Sequence, residues 1–312
     1  MLSIAPLRQR ELAAVTELFN RTTATLPYYH PLTPEQFRHW VLLNDGAPDA
    51  DLAVDGEGWL VANQGGHTVG FAHCAVGRTA EQAPEVRQGF LRLLLLLSPV
   101  DFQVANALLA AAETYFAARG VAHIAAFHIR TGYPCYLAGR GVLAGHAFEV
   151  MEALGRAGYR IGQRWLLYER LFGGHVPERL PGWPRLRLQF DEAGPQAFTL
   201  SVFSGYELVA ELNCVLLSEL SEYSGVPTAS LRRLYVQESY RRQGVGRWLL
   251  LRCLNELATR QVQRLVADIN HADAPAQALL LHLGFIELPL SGYSYEKSLA
   301  AMPSQGYLRR GE

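Results

Sequence analysis

The stretch that most restricts the fold of this chain runs from Leu234-Tyr235-Val236 through Gln237-Glu238-Ser239-Tyr240-Arg241-Arg242-Gln243 to Gly244-Val245-Gly246-Arg247-Trp248-Leu249-Leu250. An apolar triplet, a short polar loop and an apolar-periodic run read as a strand, a tight turn and a helix. Val245, Leu249, Cys253 and Leu257 fall on one helical face, which presses the helix onto a sheet. The first turn of a helix leaves N–H groups without partners and carries roughly half a positive charge, so the junction is built to hold an anion. Gly244 and Gly246 lack the Cβ that would stand between those amides and a diphosphate, and Arg241, Arg242 and Arg247 add cationic reach. Gln243 and Val245 complete the loop, whose amides would each make a hydrogen bond to charge of about 1.5–3 kcal/mol. A Walker loop needs a Lys after its last Gly, and a Rossmann loop needs a third small residue where Leu249 stands, so neither pattern fits. Gly139-Arg140-Gly141-Val142-Leu143-Ala144 has dinucleotide-like spacing but follows Tyr133-Pro134-Cys135-Tyr136 instead of a strand, and is read as a turn.

Residues 173–186 hold three prolines and three glycines, which interrupt helix and ladder alike and mark a connector. The expected division is therefore 1–172, a linker at 173–186, and 187–312. A similar order of elements recurs on both sides. Val69-Gly70-Phe71-Ala72-His73-Cys74 aligns with Val209-Ala210-Glu211-Leu212-Asn213-Cys214, and Gly158-Tyr159 with Gly284-Phe285. In the first half, periodicity predicts a strand at 2–7, a helix carrying Leu12, Val15, Leu18 and Phe19, and a second helix capped by Thr33 with Pro34 and Gln36. Strands at 58–63, 67–77 and 90–97, a helix at 104–118, a strand at 121–129 and a helix at 147–157 follow. In the second half strands are expected at 186–190, 197–203, 206–218, 230–236 and 264–269, with helices at 244–260 and 274–283 before the final strands. Mixed strands and helices in this order define an α/β (α+β) protein.

Bulk properties exclude several classes. With 312 residues, 49% of them hydrophobic, the chain can fill two ordinary cores. A formal charge of −1 and an isoelectric point near 6.8 give no basic field for nucleic acid or an anionic membrane. Cys74, Cys135, Cys214 and Cys253 form no C-x-x-C pair, which speaks against a zinc ribbon or a disulfide framework and for a reducing, cytoplasmic setting. The opening residues lack a signal-peptide pattern, and Leu91–Val100, interrupted by Arg92, is too short to span a bilayer as a helix. Of the ten histidines, His123 and His128 sit at odd spacing on an expected strand, so no metal site is expected.

Arg241-x-x-Gly244-x-Gly246 behind Leu-Tyr-Val resembles motif A of the Gcn5-related N-acetyltransferases (GNAT), whose pattern is Q/R-x-x-G-x-G/A. Asp273 through Phe285 resembles that family's second segment, in which an Asn, an Ala and a Leu-Tyr lead to Gly-Phe. The resemblance covers about 197–299. It implies two tandem GNAT-like domains, each a mixed, mostly antiparallel sheet flanked by helices, and acetyl-CoA as cosubstrate. It also implies that Leu234, Tyr235 and Val236 hold the acetyl and pantetheine portion by backbone groups, with Arg242 to Arg247 on the pyrophosphate. The implied reaction is direct acetyl transfer to a primary amine of a small molecule or peptide.

The sequence departs from the family at two positions. Leu280 stands where a Tyr general acid is usual, and Asp273 stands for the Asn. Tyr293 and Tyr295 are alternative acids, and Glu211 and Glu222 are candidate bases. A noncatalytic acyl-CoA binding protein is the alternative reading. Aligning Leu108-Leu109 with Leu249-Leu250 puts Gln103 at Gly244, Ala105 at Gly246 and Asp101 at Arg242, so the first half is read as a degenerate copy without an ordinary CoA loop. The second half has only Asp-Glu-Ala-Gly-Pro-Gln where the fold's first two helices belong, so the halves are expected to be complementary, the first covering acceptor space that the second leaves open.

Overall fold

A computed structural model describes residues 1–43, 52–79, 82–83, 86–179 and 186–299. Residues 180–185 of the connector lie outside that set. The first half runs β1 (Leu2–Pro6), α1 (Leu12–Thr23), α2 (Pro34–Phe37), β2 (Leu52–Gln64), β3 (His67–Thr79), β4 (Gln88–Leu96), α3 (Phe102–Ala117), β5 (His123–Ala126), the short β6 (Leu143–Ala144), α4 (Phe148–Arg156) and β7 (Arg160–Leu171). The second runs β8 (Leu186–Glu192), β9 (Ala197–Ser204), β10 (Glu207–Leu216), α5 (Ser218–Ser224), β11 (Thr228–Val236), α6 (Val245–Thr259), β12 (Arg264–Asn270), α7 (Ala274–His282) and β13 (Ile286–Ser298). Thr33 accepts from the Gln36 N–H and Gln36 returns the bond, the reciprocal cap that its sequence requires.

The recurrence is visible in the backbone. In each half a parallel pair follows an antiparallel meander and then splays: β4 pairs β5 only over Gly89–Leu91, and β11 pairs β12 only over Thr228–Leu231. Beyond each last pair the strands diverge into a fork. One extra residue bulges beside each fork, Arg92 opposite His73/Cys74 and Arg232 opposite Asn213/Cys214. Gly158 and Gly284 both have positive φ (84° and 76°), ending α4 and α7 alike.

The halves nevertheless share one sheet, ordered β1-β2-β3-β4-β5-β13-β7-β12-β11-β10-β9-β8, with β6 against β13. The last strand of each half is exchanged. β13 pairs β5 from Tyr295↔Ala126 to Ser298↔His123, and β7 pairs β12 from Arg264↔Leu171 to Asn270↔Trp165. Two large cores result, one beneath α3 and α4 that includes Tyr295, the other beneath α6 and α7 that includes Leu166 and Tyr168. A third core packs α1 and α2 onto the opposite face of the first-half sheet.

Three features differ from expectation. β5 ends at Ala126, so His128 is not on a strand; its ring caps a 3-10 turn by accepting the Arg130 N–H. Helix α5 was not foreseen, because Ser218-Glu219-Leu220-Ser221 carries little apolar periodicity. Between β5 and α4, residues 127–147 form a buried, folded segment, whereas only 271–273 separate β12 from α7.

Candidate functional site

β11 ends at Val236, and α6 begins with Gly244 as its N-cap at φ 86°. A left-handed backbone at this point costs an L-residue roughly 1–2 kcal/mol, which selects glycine. The space over Gly244 is open, with no heavy atom within 4 Å of a Cβ placed there. Gly246 answers to a different constraint: a Cβ would lie 3.3 Å from Val236 Cγ2 and 3.7 Å from Leu279 Cδ2, so its absence lets α6 sit close to the strand end. The first hydrogen bond of α6 runs from Trp248 N–H to the Gly244 carbonyl. The N–H groups of Val245, Gly246 and Arg247 therefore leave the helix end without intrahelical partners.

The loop before them is fixed by its own polar groups. Arg241 Nε donates to the Val236 carbonyl at 2.9 Å, Gln243 Nε2 to the Ser239 carbonyl at 2.7 Å, and the Gln237 N–H to Val209 at 2.8 Å. Arg242 takes positive φ (62°) and, with Arg247, is exposed at the rim. The result is a braced loop beyond the end of β11 that carries three helix-start N–H groups and two exposed arginines. Leu234 and Val236 pack on the α6 core, leaving their backbone along the fork. Tyr235 faces the opposite side, over the Arg233 guanidinium.

The other expected residues are spread more widely. Glu211 stands in register with Tyr235 and pairs with Arg233 at 3.3 Å, on the sheet face opposite α6. Glu222 is exposed on α5. Asp273 caps α7, accepting the Ala276 N–H at 3.1 Å. Leu280 is buried at 1% exposure in the α6 core. Tyr293 and Tyr295 are not brought to this loop: on the exchanged strand, they pack into the core beneath α3 and α4, and burial raises the Tyr295 phenol pKa.

The first half closes the equivalent position. When Val104, Leu108 and Ala112 are set on Val245, Leu249 and Cys253, the buried stripe of α3 falls on the same face as that of α6, which buries a wider stripe. α3, however, starts two residues earlier on that alignment, and five residues (97–101) replace eight (237–244). Asp101 caps it, its carboxylate accepting the Gln103 N–H at 2.8 Å. An acidic cap occupies one amide that a phosphate would need and sets a negative charge beside the others.

Beside the first fork lies a buried polar network that the sequence did not single out. Glu57 Oε1 is 2.8 Å from Arg92 Nη1 and 3.2 Å from His73 Nε2, and Tyr133 Oη is 2.6 Å from His73 Nδ1. Burial lowers the His73 pKa to about 4, assisted by Arg92 and opposed by Glu57. A neutral ring then donates from Nε2 to the carboxylate and accepts the tyrosine proton at Nδ1. Burial pushes the Glu57 pKa upward, but His73 and Arg92 outweigh it and hold the carboxyl below its usual value. Among the described residues, no group of three or more His, Cys, Asp or Glu is placed to hold a metal ion, and no helix is long and apolar enough to cross a membrane.

This geometry is that of a known class. Residues 165–285 match the family model described as the acetyltransferase (GNAT) family. The match begins inside β7, the exchanged strand that completes the second-half sheet. A tandem GNAT protein from the clavulanic acid biosynthesis pathway aligns over 97% of this chain and 100% of its own, with a TM-score of 0.63 at 14% identity. A GCN5-related N-acetyltransferase from Sphaerobacter thermophilus aligns over 95% of both chains, with a TM-score of 0.60 at 11% identity. A GCN5-related glucosamine N-acetyltransferase region of a fungal multi-domain GH3 beta-N-acetylglucosaminidase aligns over 95% of this chain and 38% of its own, with a TM-score of 0.67 at 13% identity. At these identities the likeness is one of fold. No curated protein matches the chain in sequence. Residues 165–285 thus match the acetyltransferase (GNAT) family, and the chain as a whole has the fold of a tandem GNAT protein.

Proposed function

We propose that the second half, 187–312 completed by β7, is an N-acetyltransferase that moves an acetyl group from acetyl-CoA to a primary amine of a small molecule or peptide. The observation that carries this reading is the preformed loop at the end of the fork: Gly244 at positive φ, three outward N–H groups and the exposed Arg242 and Arg247. The diphosphate would sit on Gln243 to Arg247 with Arg241 bracing the loop, and the pantetheine amides would pair with the backbone of Leu234, Tyr235 and Val236. The first half, 1–172 with β13, would bind no CoA in this manner, since Asp101 stands at its helix start.

The transfer needs a free amine and a departing thiol. Glu211, beside Tyr235 on the sheet face opposite α6, is the proposed base, taking the ammonium proton directly or through a water. The amine nitrogen attacks the thioester carbon, the C–S bond breaks, CoA leaves as thiolate, and the proton that nitrogen must then lose passes to that thiolate or to water. A thiol pKa near 8.5 lets that group depart without a strong acid, so Leu280 in place of a Tyr slows the step without forbidding it. The pathway has no covalent enzyme intermediate and no metal. Cytoplasmic residence is part of the proposal, supported by acetyl-CoA as donor and by four free, buried cysteines.

The second reading, a noncatalytic acyl-CoA binding protein, is favoured by Leu280 being buried core instead of a proton donor. Calorimetric titration with acetyl-CoA followed by thiol release with a panel of amines tests both. Binding with release supports the transferase, binding without release the sensor, and no binding contradicts both.

A further inference from the structure

The segment 127–147 does more than fill the first half. Tyr133, Cys135, Tyr136, Leu137 and Val142 pack against the α1/α2 core, while Ala138 packs on Val215, Leu217, Leu220 and Val266 of the second half. Its tip reaches the β11/β12 fork. Arg140 Nη2 is 2.7 Å from the carbonyl of Leu231, the last residue of β11 that pairs with β12, and 2.7 Å from Asp268 Oδ2, one residue beyond that pairing on β12. One guanidinium thus bridges both strands where they separate. The pair is nearly sealed, with side-chain exposures of 3% and 7%. In return, Arg232 Nη1 donates to the Gly139 carbonyl at 3.3 Å.

The glycines of the motif follow from this contact. A Cβ at Gly139 would lie 2.3 Å from Arg232 Nη2, one at Gly141 2.2 Å from the His128 carbonyl, and one at Gly132 2.2 Å from the Gly139 carbonyl. Close backbone approach, not phosphate, selects Gly-x-Gly here. A buried ion pair is a poor means of adding stability, because desolvation offsets its attraction. Its consequence is positional: Nη2, bonded to a carbonyl on one strand and a carboxylate on the other, ties the two strands at one separation, which an apolar plug of the same volume does not.

We propose that Arg140 is a positioning residue for the second half's reaction, a cation from the first half that sets the opening of the fork in which the thioester meets the amine. The inference rests on the acetyltransferase reading. The nucleotide end of the site, built from 237–247, does not include it. Arg140 therefore acts on turnover with little effect on CoA binding, and makes the first half a required part of the catalytic unit.

The test uses the full-length chain, wild type and Arg140→Ala, with acetyl-CoA calorimetry, thiol release and thermal melts. Expected are an acetyl-CoA Kd within about threefold of wild type, a kcat lower by about 100-fold, and recovery of about tenfold on adding millimolar guanidinium chloride. An equally active Arg140→Ala, or activity lost in step with melting temperature and unresponsive to guanidinium, would overturn the inference. Should Arg140→Ala not fold, Arg140→Lys keeps the charge and loses the planar guanidinium; a lower kcat at unchanged acetyl-CoA KM supports the role, and an unchanged kcat refutes it. A wild type that binds acetyl-CoA but transfers to no amine defeats the transferase reading itself, a result distinct from active wild type with active Arg140→Ala.

Discussion

The two helix-start connections of this molecule descend from the same plan and end in opposite chemistry. In front of α6, eight residues carry a left-handed glycine, outward amides and exposed arginines. In front of α3, five residues carry a carboxylate that takes the Gln103 amide of the first turn for itself. Yet the helices bury the same faces on the same kind of forked sheet. Packing specifies the fold through dozens of buried side chains, each contributing about 1.5–3 kcal/mol, whereas a ligand loop is a handful of backbone positions that can be rewritten without disturbing the core.

The exchanged strands limit how far the halves can be treated apart. Tyr295 belongs to the second half in sequence but fills the first-half core, so Tyr295→Ala should remove about 3–4 kcal/mol from the first half. Denaturation followed by probes in both halves should show a single coincident transition shifted to lower denaturant; a shift confined to second-half probes would break the picture of a shared sheet.

A somewhat smaller effect separates the halves by pH. His73 is neutral in the fold with a pKa of about 4, against an ordinary 6.5, so the unfolded chain binds its proton first as pH falls. The associated stability is complete above about pH 6.5 and is lost towards pH 4, by about 3 kcal/mol. The lowered Glu57 pKa acts in the same direction at the acid end of that range. His73→Gln should flatten the slope between pH 6.5 and 4.5 in urea titrations. The second fork has Asn213 at the matching position and supplies no such slope.

The smallest change sharpens the contrast between the connections. Asp101→Ala removes the N-cap of α3 and should cost about 1 kcal/mol, read from the denaturation midpoint. It should not create a second CoA site, because α3 still begins two residues too early. Two CoA equivalents bound by this variant in calorimetry would show that the acidic cap alone distinguishes the halves.

Much of this architecture was legible in the residues. The β11-to-α6 junction, the reciprocal cap at Thr33, the pairing of Gly158-Tyr159 with Gly284-Phe285 and the matched faces of α3 and α6 are local patterns, each set by helix periodicity or by a single backbone conformation. The strand exchange was not legible. A strand's alternation says which face is buried and nothing about which neighbour it pairs with, so 160–171 and 286–298 read equally well within their own halves. Tyr293 and Tyr295 were misplaced for that reason. Gly139-Arg140-Gly141 imitated a phosphate loop because glycine serves any close backbone approach. His73 and Arg92 were hidden inside apolar runs, and only their burial beside Glu57 and Tyr133 reveals a network. The role of Leu234–Val236 as a ligand-facing edge rests on the resemblance and on the fork together.

The central claim is that the second half, and not the first, holds CoA through the backbone at Gly244. Calorimetric titration of acetyl-CoA into the intact protein and into Gly244→Val tests it most directly. The account predicts one molecule bound per chain, with the variant weaker by about 10- to 100-fold, the equivalent of about 1.4–2.8 kcal/mol. Undiminished binding by Gly244→Val, or two molecules per wild-type chain, would contradict it.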